Sequence, residues 1–239
     1  MKKKLLILIG IFVLAVTSYK VTFALFSSQA TSTNNTFAAA EVFPPQTDHI
    51  VISEVQIKGS GTESNKKDFI ELYNPTSSPK NLAGHRLVKR ATPSTTDNNV
   101  FVFNSSHIIP AHGYFLWANS ENGFSASILA DISSTDNIST NDSIALRNGP
   151  VNTGTIVDAI AWGSTHASPL VEGSSFSTNP NNADESLERK ALSTSDATSM
   201  SSGADVSKGN GFDSNNNSTD FILRTTSQPQ NSSSPAETP

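Results

Sequence analysis

Three groups of side chains in this sequence have types and spacings that could do chemistry. The first is a pair of carboxylates, Glu54 and Glu71, each set in the middle of a short apolar run, VISEVQI and DFIELYN. If the two runs pair as strands, the acids come close together, and a buried couple of that kind has one strongly raised pKa. Such a pair could serve acid–base hydrolysis, or it could simply accept hydrogen bonds within a sheet, where no substrate cleft is expected. The second group is Asp213, Asn215, Asn217 and Asp220, which place oxygen-bearing side chains close together with an acid at the end. Those oxygens could converge on a calcium ion as in an EF-hand loop, although the glycine at the sixth position and the glutamate at the twelfth are missing. The same residues would equally make an Asn-rich turn held by Asx hydrogen bonds. The third group, Arg86, Lys89 and Arg90 with Lys80 nearby, could meet phosphates. On a strand Arg86 and Arg90 share a face while Lys89 points away, so a charged strand edge competes with a nucleic-acid groove. The histidines at 49, 85, 107, 112 and 166 are scattered without metal-pair spacing, and no serine lies in a G-x-S-x-G elbow.

The elements that must position these residues read as strands. His49 to Ile57 and Asp68 to Asn74 alternate and are joined by a polar loop carrying Gly59 and Gly61, which makes a hairpin. In the first run Ile50 and Ile52 point one way and Val51, Val55 and Ile57 the other; in the second, Ile70 and Leu72 oppose Phe69 and Tyr73. Asn74-Pro75 ends the ladder, because proline has no N–H to donate and restricts the residue before it. Further strands are expected around Leu87 and Val88, over Val100–Phe103, from Ile108, over Gly113–Ala118, and as a hairpin of Ser143–Arg147 with Thr155–Trp162. Ser186–Lys190 could form one more short strand, and Asp220–Leu223 returns an apolar group that needs somewhere to bury. Ser120–Asn141 reads as a long loop pinned by Ile128, Leu129 and Ile132, and Ser193–Asn217 as a second polar loop. No run shows an amphipathic helix of about 11 residues, so the fold class is all-β with the strand spacing of a sandwich. Residues 225–239 are Ser- and Pro-rich, and their composition predicts a disordered tail.

The 239 residues include no cysteine and carry a formal net charge of -5. Stability therefore has to come from an apolar core, to which a metal could add. Lys2 to Lys4 followed by Leu5 to Val16 form the basic and apolar regions of a signal peptide, with Thr22 and Ala24 as the small residues before a cleavage point. Thr17, Ser18 and Lys20 break the apolar run before the ~20 residues of a membrane span, so the membrane is reached only if this leader stays uncleaved. Without residues 1–24 the balance is 12 basic against 21 acidic residues, or -9, which disfavours nucleic acid as a partner. The resulting organisation is a leader (1–24), an N-terminal segment with a Pro44-Pro45 linker (25–47), a sandwich (48–224, its core 48–163) and the tail.

ISEV, DFIELYNP, the turn segment AGHRLVKR, IIPAHGYFLWAN, DSIALRNG and TIVDAIAWG, in that order, resemble the lamin tail domain family. The later segments ESLERK and DFILRTTSQPQN resemble the ending common in its bacterial members. The resemblance implies an immunoglobulin-like β-sandwich without catalytic turnover, in which Glu54, Glu71, Asn74, Pro75 and Gly84 are structural motif residues. His85 stands where the family usually has an aromatic. Animal members are associated with chromatin and other proteins, and some bacterial ones accompany secreted nucleases. FALFSSQATSTNNTFAAAEV is similar to the start of secreted matrix proteins of the TasA and camelysin type, processed by the signal peptidase SipW; Phe26, Asn35, Thr36 and Phe37 carry the match. Together these resemblances imply a secreted or cell-surface module binding proteins or envelope polymers, with a fibre-forming subunit or an accessory nucleic-acid binder as alternatives. No cofactor is implied beyond the calcium reading of Asp213 to Asp220.

Overall fold

The structure, a computed structural model, describes residues 47–239. The leader, its cleavage point at Ala24 and the segment 25–46 lie outside the described residues. The strands gather into two layers. One sheet contains β1 (Val51–Gln56), β2 (Phe69–Tyr73), β7 (Tyr114–Asn119), β8 (Ile132–Ser134), β11 (Ser186–Arg189) and β12 (Phe221–Arg224), in the order β12-β11-β1-β2-β7-β8. The other contains β4 (His85–Ala91), β5 (Asn98–Val102), β9 (Asp142–Asn148) and β10 (Thr155–Ala161), in the order β10-β9-β4-β5. β3 (Lys80–Asn81) and β6 (Ile108–Ile109) form a small ribbon. Among the named strands pairing is antiparallel except between β7 and β8. Ile70, Leu72, Trp117 and Leu187 of the first sheet meet Leu87, Ile144, Leu146 and Ile160 of the second in one buried core. β7 lies inside its sheet, as the bulk of Tyr114 to Trp117 leads one to expect.

Strict alternation fails at one point in β1, and the failure matters. Val51 faces Tyr73 and Ile52 faces Leu72, but the register resumes with Glu54 against Glu71, leaving Ser53 as a bulge. An extra residue in one strand reverses which side the following side chains take. Ile50, Ile52, Val55 and Ile57 consequently all reach the main core, whereas Val51 packs with Tyr73 and Tyr114 on the outer face. The alternation expected from sequence had separated Ile52 from Val55. Glu54 is turned away from the core by the same bulge.

Two other expectations change. Leu129 does not pin the long loop: it is 71% exposed at a left-handed φ of 55°. The loop is held instead by Ile128, Ile132 and the buried Ile138, and contributes β8. Residues 225–239 are not a disordered tail in the structure. They cross the outer face of the first sheet as a strap, with the N–H groups of Gln228 and Gln230 donating to Glu54 and Glu71, and that of Ser232 to Asp131. The composition argument for disorder weighs apolar burial, and this segment is instead held by polar partners waiting on the sheet. The helices among the described residues that precede the strap are single turns: α1 (Phe124–Ser127), α2 (Ala197–Ser201) and α3 (Asn217–Asp220). At α2 the Asp196 side chain accepts from the Thr198 and Ser199 N–H groups while the Ser199 hydroxyl accepts from Asp196 N–H, a capping box.

One buried ion pair ties the layers together. Arg189 on β11 is fully buried; its Nε donates to Ile52 O at 2.9 Å, and its Nη2 lies 2.8 Å from both carboxylate oxygens of Asp158 on β10. Asp158 in turn accepts from the Ile52 N–H. The guanidinium carbon lies 4.5 Å from the centroid of the Phe221 ring. Replacing one member of such a pair strands the other charge, at a cost of roughly 3–5 kcal/mol, whereas replacing both with apolar groups can be neutral. Arg189→Met is expected to lower the urea unfolding midpoint by a corresponding amount, and a second change, Asp158→Leu, to recover part of the loss. Equal midpoints for the wild type and the single variant would show that the pair does not hold the sheets together.

Candidate functional site

The β1 bulge places three glutamates in one row across the outer face. Glu54 is the cross-strand partner of Glu188 on β11 and of Glu71 on β2. Glu54 and Glu71 are each 2% exposed. Glu54 accepts from the Ser186 hydroxyl at 2.5 Å and from Gln228 N–H at 3.2 Å; Glu71 accepts from the Ser53 hydroxyl at 2.6 Å and from Gln230 N–H at 2.5 Å. Glu188 is met by Asn210 Nδ2 at 2.9 Å and by Arg224. Burial, followed by the charge of Glu188, pushes the Glu54 carboxyl up to about 8. Burial and then the charge of Glu54 hold Glu71 well above the ordinary carboxylate range. Glu188 is also raised by burial, with Arg224 opposing. The surroundings thus favour the protonated form of Glu54 and Glu71, while Arg224 supports the charge of Glu188.

The strap and the polar loop before α3 roof this row. The Tyr73 hydroxyl donates to Glu237 O, and the Tyr114 hydroxyl lies 2.7 Å from Glu237 Oε2 and 3.0 Å from Asn210 Oδ1. Gly209 passes so close that a Cβ there would sit 1.9 Å from Tyr73 Oη. A cleft of about 230 Å³ opens beside the row, lined in part by Glu188, Lys208, Asn210, Gln228, Gln230 and Glu237. Several of its polar groups pair with one another or their neighbours: Gln230 Nε2 with Glu237 Oε1 at 3.2 Å, and Lys208 with Asp205 at 2.8 Å. Glu54 and Glu71 are therefore brought together, but under cover and with protein donors on their oxygens.

The residues considered for calcium surround a cation that belongs to the chain. Asp213 Oδ1 lies 3.4 Å and Asp220 Oδ2 3.8 Å from Arg189 Nη1, and Asp213 also approaches His49 at 3.2 Å. Burial works against the Asp213 charge, but His49 and Arg189 prevail and lower it to about 2. Asp220 accepts from the N–H groups of Ser214 and Asn216, while Asn215 donates its own N–H to Asp213 and takes a left-handed φ of 56°. Asn217 points elsewhere: its Oδ1 accepts from Ala161 N–H at 3.0 Å, and its Nδ2 donates to Ala159 O. This is the Asx-turn arrangement. Asp158, Glu172 and Asp213 bring one oxygen each within 4.8 Å of one another beside the same guanidinium. Burial and the neighbouring Asp158 push Glu172 up to about 9.

The basic cluster on β4 is also committed internally. Arg86 Nε donates to Gly149 O at 2.6 Å, Lys89 lies 3.2 Å from Asp136, and Arg90 pairs at 2.8 Å with Asp97, which Arg147 shares at 2.7 Å. Asn74 is fully buried; its amide donates to Ser78 O and Pro110 O and its oxygen accepts from Thr76, so it braces the turn that Pro75 begins. Gly84, at φ 82°, accepts from Gly149 N–H and joins two turns. Sequence reasoning did not single out Glu188, Arg189, Asp158 or Glu237. The available signal was a charged residue at the centre of an apolar strand, as in SLER and IVDAIA.

The family model described as Lamin Tail Domain matches residues 44–164. No curated protein matches the chain. Among solved structures, a DUF4876 family protein from Bacteroides thetaiotaomicron is similar, with a TM-score of 0.51 and 11% identity, covering 81% of this chain and 75% of that one. At that identity the likeness is one of fold.

Two outcomes are expected from this site. Because Arg189 occupies the centre of the Asp213 and Asp220 turn, millimolar calcium or a chelator should leave the melting temperature unchanged; a calcium-dependent rise would assign those oxygens to an ion. Gly209→Ala should lower the melting temperature by several degrees, because the loop has to move off Tyr73; an unchanged value would mean the loop does not brace that ring.

Proposed function

The chain belongs to the lamin tail domain family, and from that membership we propose that it acts outside the cell as a non-catalytic module that binds proteins or envelope polymers. The family is an immunoglobulin-like, non-enzymatic module, and the fold of this chain is an all-β sandwich of that kind. The observation that supports the non-catalytic reading is the cover over Glu54 and Glu71: this acid pair is 2% exposed at each member and donated to by the strap. A general acid or base has to reach a substrate proton within hydrogen-bond distance, and these oxygens face main-chain N–H groups instead. Recognition then falls to loops and to the polar cleft beside the strap.

Export is supported by the basic and apolar residues of the leader and by the small residues ending at Ala24. The resemblance of Phe26 and Asn35 to Phe37 to matrix-protein leaders supports processing by SipW and a second reading, a fibre-forming subunit. The nucleic-acid reading loses its motivation, since Arg86, Lys89 and Arg90 are engaged with Gly149, Asp136 and Asp97.

Protein recovered from the culture medium is expected to begin at Leu25 and to be retained on isolated envelope fractions without hydrolysing them. A start at Met1 would identify an anchored protein, and release of soluble fragments that disappears in a Glu54→Gln/Glu71→Gln variant would make it a hydrolase. Fibres that form with rising concentration would favour the matrix subunit, and a monomer at every concentration would remove it.

A further inference from the structure

We propose that residues 228–238 form a pH-gated strap over the Glu54–Glu71–Glu188 row, docked while Glu54 and Glu71 hold their protons and released as they ionise. The arrangement supports this at both ends of the contact. On the sheet, three acids stand in consecutive cross-strand positions, and like charges directly opposite each other on a sheet repel. On the strap, no residue from 225 to 239 is buried, so no apolar anchor holds it. It is held by hydrogen bonds to the row and its surroundings: Gln228 to Glu54, Gln230 to Glu71, Glu237 N–H to His112 O, and Gly209 N–H to Thr238 O. A segment with few buried contacts belongs to the low-stability end of a fold and opens before the rest.

Burial, and then the charges facing the row, set the sign against the Ser186, Ser53, Gln228 and Gln230 donors, which favour the ionised form. From β12, Arg224 meets Glu188 and stabilises that member's charge. From the strap, Glu237 adds a further acid, bonded to Tyr114 of β7. Tyr73 and Tyr114 are raised by burial and stay neutral, and Lys208 is taken up by Asp205 at the margin of the cleft. Asp131, beyond β7, receives Ser232. Arg224 thus faces Glu54, Glu71, Glu188 and Glu237 together, and its pull on Glu54 is outweighed by burial and by Glu188. Because the Glu54 carboxyl is raised to about 8 when covered and returns toward the ordinary carboxylate range when opened to water, the docked state is fully favoured below about pH 4.5. Its advantage then declines as pH rises, by up to about tenfold per unit for one such group, and is lost through about pH 8. Release opens the acid row and frees the Tyr73 and Tyr114 hydroxyls from Glu237, while Gly209 and Gly211 stay packed on the Tyr73 ring. The device goes beyond the binding role above and holds whatever the partner is.

The chain has no cysteine, so Ser233→Cys gives a single site for a nitroxide on the exposed part of the strap. Its electron paramagnetic resonance spectrum should be immobilised at pH 5.5 and mobile at pH 9.5, while a label at Thr96→Cys on the body stays unchanged. In the Glu54→Gln/Glu71→Gln background the strap label should remain immobilised at pH 9.5. Gln230→Pro, which removes one strap donor and leaves the sheet intact, should mobilise the label already at pH 5.5 and serves if the double variant does not fold. A strap label whose mobility is the same at both pH values, or whose pH response survives in the double Gln variant, would overturn the proposal.

Discussion

The structure depends on one buried cation. Arg189 is carried by the first sheet, Asp158 by the second, and both reach the main chain of Ile52 at the end of the β1–β11 ladder. A guanidinium presents several donors in a fixed plane, so it can satisfy a backbone carbonyl and a carboxylate together, where an ammonium would act as a point charge. The surplus negative charge around it is absorbed locally. Asp213 and Asp220 close on the same group, His49 supports Asp213, and Glu172 is held above the usual range beside Asp158. The loop before β12 is ordered by this arrangement, which explains how a stretch composed mainly of Ser, Asn, Asp and Gly can form a fixed layer on a sandwich.

The bulge at Ser53 is the second constraint, and the two are connected. By interrupting the regular ladder it ends the straightforward pairing of Ile52 beside the point where Arg189 and Asp158 take over its N–H and C=O. By reversing side-chain parity it keeps Val55 and Ile57 in the core while sending Glu54 outward to join Glu71 and Glu188. A regular strand through VISEVQI would have to bury Glu54 among Ile52 and Leu72, or else turn Val55 and Ile57 to the outer face. The extra residue resolves that conflict within the strand and produces the acid row as its outcome.

Much of this was legible in the sequence and some was not, for physical reasons. The paired strands around DFIELYNP, the end of the ladder at Asn74-Pro75 and the closeness of Glu54 to Glu71 follow from alternation and from proline's missing donor, whereas Gly84 was marked only by the family resemblance. The bulge was not legible, because VISEVQI fits an uninterrupted strand equally well and the extra residue is decided by what Arg189 and Glu71 do at a distance in sequence. Leu129 looked like an anchor because it is apolar, yet its neighbours Ile128 and Ile132 fill the available contacts and leave it at a left-handed turn position. Asp213 to Asp220 carried the oxygens of a cation site, and alternation of oxygens cannot distinguish an ion from a guanidinium supplied by another strand.

The strap shows why composition misled for residues 225–239. Disorder is expected where a segment cannot bury enough apolar surface to offset the entropy of fixing its backbone. Here the segment buries little, but the sheet beneath it carries buried acids that accept its N–H groups beside the Ser186 and Ser53 hydroxyls, and a buried polar group left short of partners is costly. The Ser- and Gln-rich sequence thus suits its place: it supplies N–H and hydroxyl donors and no bulk. Its order is conditional on the state of those acceptors, so the same residues can behave as a docked layer or as the free tail their composition describes. The sheet face, through its protons, decides which.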